Sequence, residues 1–158
     1  MRELQEKIIK ALKVNSDIDP AGEVTRRVNF IQEFLHKTGM TTLVLGISGG
    51  QDSSLAGRLC QLAVEKCRQD DPAGEYQFIA VRLPYGEQAD ESDAMKAIND
   101  FIKPDQTLRV NIKAGADALV TAIEAAGATI TDFNKGNIKA RERMIVQYAI
   151  AGANHGAV

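Results

Sequence analysis

Apolar residues at the start of the chain recur at helical spacing, with Leu4, Ile8 and Leu12 on one face. Asp19-Pro20 then reads as a cap followed by proline at the first helical position. Val24, Val28, Ile31 and Leu35 form the stripe of a second helix that stops near Gly39, where a left-handed residue costs glycine little. At 42–47, TLVLGI, the period breaks into an apolar, β-branched run without polar alternation, as a strand buried on both faces requires. SLAGRLCQLAVEKCRQ follows, and its Leu55, Leu59, Leu62 and Val64 predict a helix packed on that strand. QFIAVRL, 77–83, predicts a second buried strand. A helix carrying Ala94, Ala97, Ile98 and Phe101 and closed by Pro104 precedes a third strand at 107–112. A further helix at 116–126 stops at Gly127, and a last one starts near Asp132 and Phe133.

Strands alternating with helices predict an α/β fold with a doubly wound parallel sheet. The chain reads as one domain over 1–158, with N-terminal helices in 1–40 and the sheet in 41–158. GANHGAV, 152–158, reads as a helix end, a loop and the beginning of another strand. Three parallel strands beside such an unfinished edge would expose unpaired backbone groups. The expectation is therefore a sheet incomplete before its last strands, belonging to a longer protein or stable only with a partner.

Composition narrows the ligand. The formal net charge of −2 gives no global electrostatic reason for a nucleic-acid or membrane-surface partner, which leaves a small molecule. No apolar run reaches the length of a membrane span, and the opening MRELQEKIIKALK lacks the core of a signal peptide; a cytoplasmic location is expected. Cys60 and Cys67 stand two helical turns apart, too distant for a bridge. His36 and His155 have no Cys or His at zinc-ligand spacing.

GISGGQDS, 46–53, lies between the first strand and its helix, where free backbone N–H groups and the positive end of a helix dipole converge on an anion. The stretch is neither a Walker A loop nor a dinucleotide fingerprint. In its pattern S-G-G-x-D-S, Gly49 and Gly50 let the main chain approach phosphate oxygens, and the Ser48 and Ser53 hydroxyls can donate to them. Asp52 would repel phosphate, so a Mg²⁺ ion between them is the natural inference. The bland alternative is a tight turn in which Asp52 and Ser53 cap the helix.

The octapeptide resembles the PP-loop signature of ATP pyrophosphatases. LVLGISGGQDSSLAGRLCQLAVE, FIAVRLPYG and DFNKGNIKARERMIVQYAIAG are together similar to successive blocks of the ammonia-dependent NAD synthetases. The resemblance implies an adenine nucleotide alpha-hydrolase-like fold. It also implies ATP-dependent adenylation of nicotinic acid adenine dinucleotide (deamido-NAD), release of pyrophosphate, and attack by ammonia to give NAD. Adenylation makes chemical sense, because a carboxylate offers ammonia no usable leaving group. No nucleophilic side chain is needed, so no catalytic residue is assigned.

Carried over residue by residue, the family pattern places ATP on Gly46, Ile47, Ser48, Gly49, Gly50, Gln51, Asp52 and Ser53, with Arg82 and Gln88 as further ATP contacts and Asp52 as the Mg²⁺ ligand. It places deamido-NAD against Arg141, with Asn137, Phe133 and Tyr148 beside it; on residue pattern alone this is an ordinary solvated helix face. The family implies a homodimer. Because 45 residues precede the loop, with no large amidase domain ahead of it, free ammonia is the implied nitrogen donor. The family's G-T-D-H-x-x-E segment and later lysines are not in the sequence, so these 158 residues are expected to be catalytically impaired. The alternatives are another PP-loop enzyme adenylating a different substrate, or a nucleotide-binding or dimerisation module without turnover.

Overall fold

The computed structural model describes residues 2–15, 17–87 and 91–158. Two helices, α1 (Glu3–Leu12) and α2 (Pro20–Thr38), lead into β1 (Thr42–Gly46), α3 (Gln51–Asp70) and β2 (Gln77–Arg82). Helix α4 (Glu91–Lys96) continues as a π-helical stretch, Ala97–Ile102, into β3 (Gln106–Arg109), and α5 (Lys113–Ala125), α6 (Asp132–Ala153) and β4 (Gly156–Ala157) complete the order. The four strands are parallel and lie in the order β3-β2-β1-β4. The expected further strand in GANHGAV is β4, which adds to β1 by pairing Thr42 with Gly156 and Leu43 with Ala157.

Side chains alternate across the two central strands, and both faces are apolar. Leu43, Ile47, Phe78 and Ala80 pack with Leu35 of α2, Val64 and Cys67 of α3, and Ile98 and Ile102 of the π-helical stretch. Val44, Ile79, Val81 and Leu83 face the other way and pack with Ile112 before α5 and Ala151 of α6. This period-two split over one apolar run is what a doubly wound sheet demands.

Local signals place the boundaries. Asp19 caps α2, its Oδ1 accepting the Ala21 N–H at 3.1 Å, with Pro20 in the first turn. Gly39 ends that helix at φ 71°, and Gly127 adopts φ 91° after α5. Thr131 caps α6 through the Asn134 N–H.

Three expectations shift. Leu55 is exposed, because α3 turns the face of Gly57, Leu59, Ala63 and Val64 inward. A Cβ on Gly57 would stand 3.0 Å from Ile47 Cδ1, so glycine there sets how closely α3 approaches the sheet. Phe101 is exposed because the wide π turn buries Ile98 and Ile102 in its place. The third strand ends at Arg109, although the N–H groups of Val110 and Ile112 still donate to Arg82 O and Pro84 O.

Candidate functional site

The GISGGQDS segment leaves β1 at the carboxyl edge of the sheet, where open α/β sheets hold their ligands. Gly49 sits at φ 91°, and a Cβ there would meet the Ala94 backbone and side chain at 3.0 Å. Backbone conformation and the approach of α4 therefore both exclude a side chain. Gly50 is the residue before α3 in extended conformation, and no side chain caps the helix. The first N–H groups of α3 remain available to an anion. The loop keeps its shape through its serines: Ser48 Oγ lies 2.9 Å from Ser53 Oγ, Ser48 Oγ accepts the Gly50 N–H at 3.2 Å, and Ser53 Oγ donates to Gly50 O at 3.2 Å. Asp52 projects from the exposed first turn of α3.

A cleft of about 270 Å³ opens beside the loop, lined by Gly46, Ile47, Ser48, Val81, Arg82, Leu83, Arg143 and Gln147. Arg82 is 3% exposed. Its guanidinium donates to Ile47 O, where the loop begins, and to Glu91 Oε2 at 2.9 Å. Arg109 Nε stands 3.4 Å from the other Glu91 oxygen. The two arginines, Arg82 first, hold the Glu91 carboxyl below its ordinary value. Arg82 Nε has no hydrogen-bond partner among the described residues, so a buried donor is left over at a cleft wall. Gln88, the other predicted ATP contact, lies outside the described residues.

Two cleft residues escaped sequence reasoning. Gln147 of α6 accepts the Gly46 N–H through Oε1 at 2.6 Å and donates through Nε2 to Arg143 O at 3.1 Å. Arg143 Nε donates to Leu83 O at 3.0 Å. Their partners lie 101 and 60 positions away in sequence, a separation that carries no local signal.

The residues expected to meet the dinucleotide are brought together, but on a different face of α6 from the cleft residues. Phe133, Asn137, Arg141 and Tyr148 share a helical face turned outward, with Phe133 79% and Tyr148 63% exposed. Asn137 Nδ2 donates to Phe133 O and Arg141 to Asn137 O, so these polar groups rest on their own helix. Met144 and Ile145 extend the exposed apolar strip on this side.

A charged cluster gathers around Tyr85, two residues after the cleft-lining Leu83. The Tyr85 hydroxyl donates to Asp117, Lys113 also pairs with Asp117, and Lys135 Nζ lies 3.3 Å from the same carboxylate. Lys113 first, then the Tyr85 hydroxyl, hold the Asp117 carboxyl well below the usual carboxylate range. Among the described residues no group of three or more His, Cys, Asp or Glu is placed to hold a metal. Asp52 is thus a single carboxylate beside an anion cradle, the donor set that suits Mg²⁺ when substrate phosphates and water complete its shell. No described helix is long and apolar enough to cross a membrane.

A family model described as NAD synthase matches residues 23–158. The NH(3)-dependent NAD(+) synthetase of Limosilactobacillus reuteri is 72% identical over the whole chain, and that of Limosilactobacillus fermentum 68%. The chain spans 58% and 57% of their lengths, respectively. A crystal structure of NAD+ synthetase from Burkholderia pseudomallei superposes with a TM-score of 0.86 at 47% identity, over 95% of this chain and 65% of that one. An NH3-dependent NAD synthetase from Campylobacter jejuni, at 24% identity and TM-score 0.72, repeats the fold. With the glycine loop, its cleft and these matches in agreement, the chain belongs to the NAD synthase family.

Proposed function

We propose that the chain carries the ATP-pyrophosphate site of an ammonia-dependent NAD synthetase, in which ATP adenylates the nicotinate carboxylate of deamido-NAD and ammonia displaces AMP. The observation that carries this reading is the glycine loop. A positive-φ glycine packed against α4 and an uncapped helix start together present backbone donors at the end of β1. Such fixed donors favour the charge that grows on departing pyrophosphate, and need no reorganisation as the P–O bond breaks.

The chain's own residues divide the work. Gly49, Gly50 and the first turn of α3 bind the phosphates. Arg82 holds the loop entrance through Ile47 O, and its Nε–H is a buried donor without a partner among the described residues, next to where the nucleotide would lie. Gln147 and Arg143 fix the opposite wall. Asp52 would hold Mg²⁺, which when bound neutralises phosphate charge and draws electrons from the scissile bond. Arg141, Asn137, Phe133 and Tyr148 would meet the dinucleotide from the exposed face of α6. A homodimer belongs to the same reading: the outward strip of Phe133, Met144, Ile145 and Tyr148 is apolar surface that a second subunit would cover. A cytoplasmic setting accords with soluble nucleotide substrates.

The test is a chimera in which this chain is followed by the C-terminal part of the Limosilactobacillus reuteri relative that it does not span. With deamido-NAD, ATP, Mg²⁺ and ammonium the chimera forms NAD and AMP in equal amounts. A folded chimera that forms neither refutes the reading, and AMP released with a different acceptor reassigns the substrate.

A further inference from the structure

The lysine cluster around Tyr85 is not used by the loop chemistry. Lys113, Lys135 and Lys139 place their ammonium groups 5.3, 5.7 and 3.9 Å from the centroid of the Tyr85 ring. They come from the start of α5 and the first two turns of α6, while Tyr85 follows β2. Asp117 pairs with Lys113 and Lys135. Lys139 has no carboxylate partner among the described residues, and the group therefore carries excess positive charge. Like charges drawn together around one ring repel one another, and a multivalent anion relieves that repulsion. Nothing about the overall charge of −2 explains such a local concentration.

Position narrows the anion. Tyr85 lies two residues beyond Leu83, and Lys139 one helical turn before Arg143; Leu83 and Arg143 both line the cleft beside the glycine loop. The cluster is thus continuous with the proposed nucleotide site at the carboxyl edge of the sheet. Separate ammonium donors suit an oxyanion with several well-spaced oxygens, which lysine meets as a point charge. We infer that Tyr85, Lys113, Lys135 and Lys139 form a second anion subsite that takes a diphosphate group, distinct from the glycine loop. This rests on the nucleotide reading above. The diphosphate is either free pyrophosphate or the linkage within the dinucleotide.

The experiment reads both subsites in one sample. The 158-residue chain, labelled with ¹³C at lysine Cε and ¹⁵N at glycine, is titrated by NMR with inorganic pyrophosphate, with deamido-NAD and with a non-hydrolysable ATP analogue. The expected result is saturable movement of the Lys113, Lys135 and Lys139 signals with at least one diphosphate ligand. Lys139→Gln should weaken that response about five- to ten-fold and Lys139→Arg should keep it within two-fold. Response to pyrophosphate alone identifies the free ion, and response to deamido-NAD alone identifies the dinucleotide. Movement of Gly49 and Gly50 without the lysines, unsaturable lysine shifts, or equal affinity in Lys139→Gln overturns the subsite while leaving the loop reading intact. Loop amides indifferent to the ATP analogue refute the loop reading separately, and lysine response to pyrophosphate still decides the subsite.

Discussion

Replacing Gln147 by methionine tests how the candidate site is braced. Consecutive N–H groups of β1 point to opposite sides: Ile47 N–H donates to Val81 O of β2, so Gly46 N–H faces the β4 side. There β4 pairs with Thr42 and Leu43, and among the described residues no strand lies on that side of the upper half of β1. Gln147 Oε1 fills that gap at 2.6 Å from Gly46 N, and a Cβ on Gly46 would crowd its amide at 3.1 Å. Methionine keeps the length and bulk of glutamine but leaves the half-buried Gly46 N–H without an acceptor, a loss of about 1–3 kcal/mol. For a domain of this size each kcal/mol moves Tm by about 2–4 °C, so a central value of about 2 kcal/mol lowers Tm by about 4–8 °C. Thermal unfolding followed by circular dichroism, with urea unfolding as a second measure, checks the figure. Because Gly46 opens the loop, affinity for an ATP analogue should fall as well. A Tm within 1 °C of the parent, with analogue affinity unchanged, would show that Gln147 does not brace the strand end.

Gly49→Ala forces alanine into a φ of 91° and a 3.0 Å contact with Ala94; it should cost about 1–3 kcal/mol in urea unfolding and reduce ATP-analogue binding, and a neutral outcome would contradict the loop geometry. The Glu91 carboxyl lies below its ordinary 4.5 through Arg82 and then Arg109, so its contribution to stability is fully present above that value and is lost as pH falls through the lower folded value. Glu91→Gln should therefore flatten the loss of stability of the parent below about pH 4.5, and identical acid profiles would refute the linkage. Burial pushes the Cys60 thiol up to about 11, so a disulfide reagent at pH 8 should modify it far more slowly than an unfolded control; equal rates would place Cys60 in solvent.

The elements that sequence reasoning places well are those specified by neighbours in the chain. Asp19-Pro20, Gly39, Gly127 and the apolar run at 42–47 each act through local backbone conformation or through burial of a short segment. The glycine loop was legible for the same reason, since its φ angle and uncapped helix belong to eight consecutive residues. What escaped depends on tertiary contact. Leu55 fits a helical stripe, yet the face turned to the sheet was chosen by the small Gly57 against Ile47 and Ile102. Phe101 and Ile102 compete for one buried position, and the π turn decides for Ile102. Arg82 sits at a strand end that sequence leaves equally suited to solvent or ligand; the structure buries it between Ile47 and Glu91. Arg143 is one of several charges near the start of α6, and only the fold brings it to Leu83. The outward face of α6 gains no such tertiary contact: Asn137 and Arg141 bond to carbonyls of their own helix, and Phe133 and Tyr148 stay exposed.

The most direct test of the nucleotide site is calorimetric titration of the 158-residue chain with a non-hydrolysable ATP analogue, with and without Mg²⁺, beside Asp52→Ala. The loop geometry predicts one molecule bound per chain, tighter with Mg²⁺, and an Asp52→Ala variant that loses the Mg²⁺-dependent part while keeping the remainder. A chain shown to be folded by circular dichroism that takes up no analogue at millimolar concentration, with or without Mg²⁺, would contradict the proposal that GISGGQDS is a preformed pyrophosphate cradle.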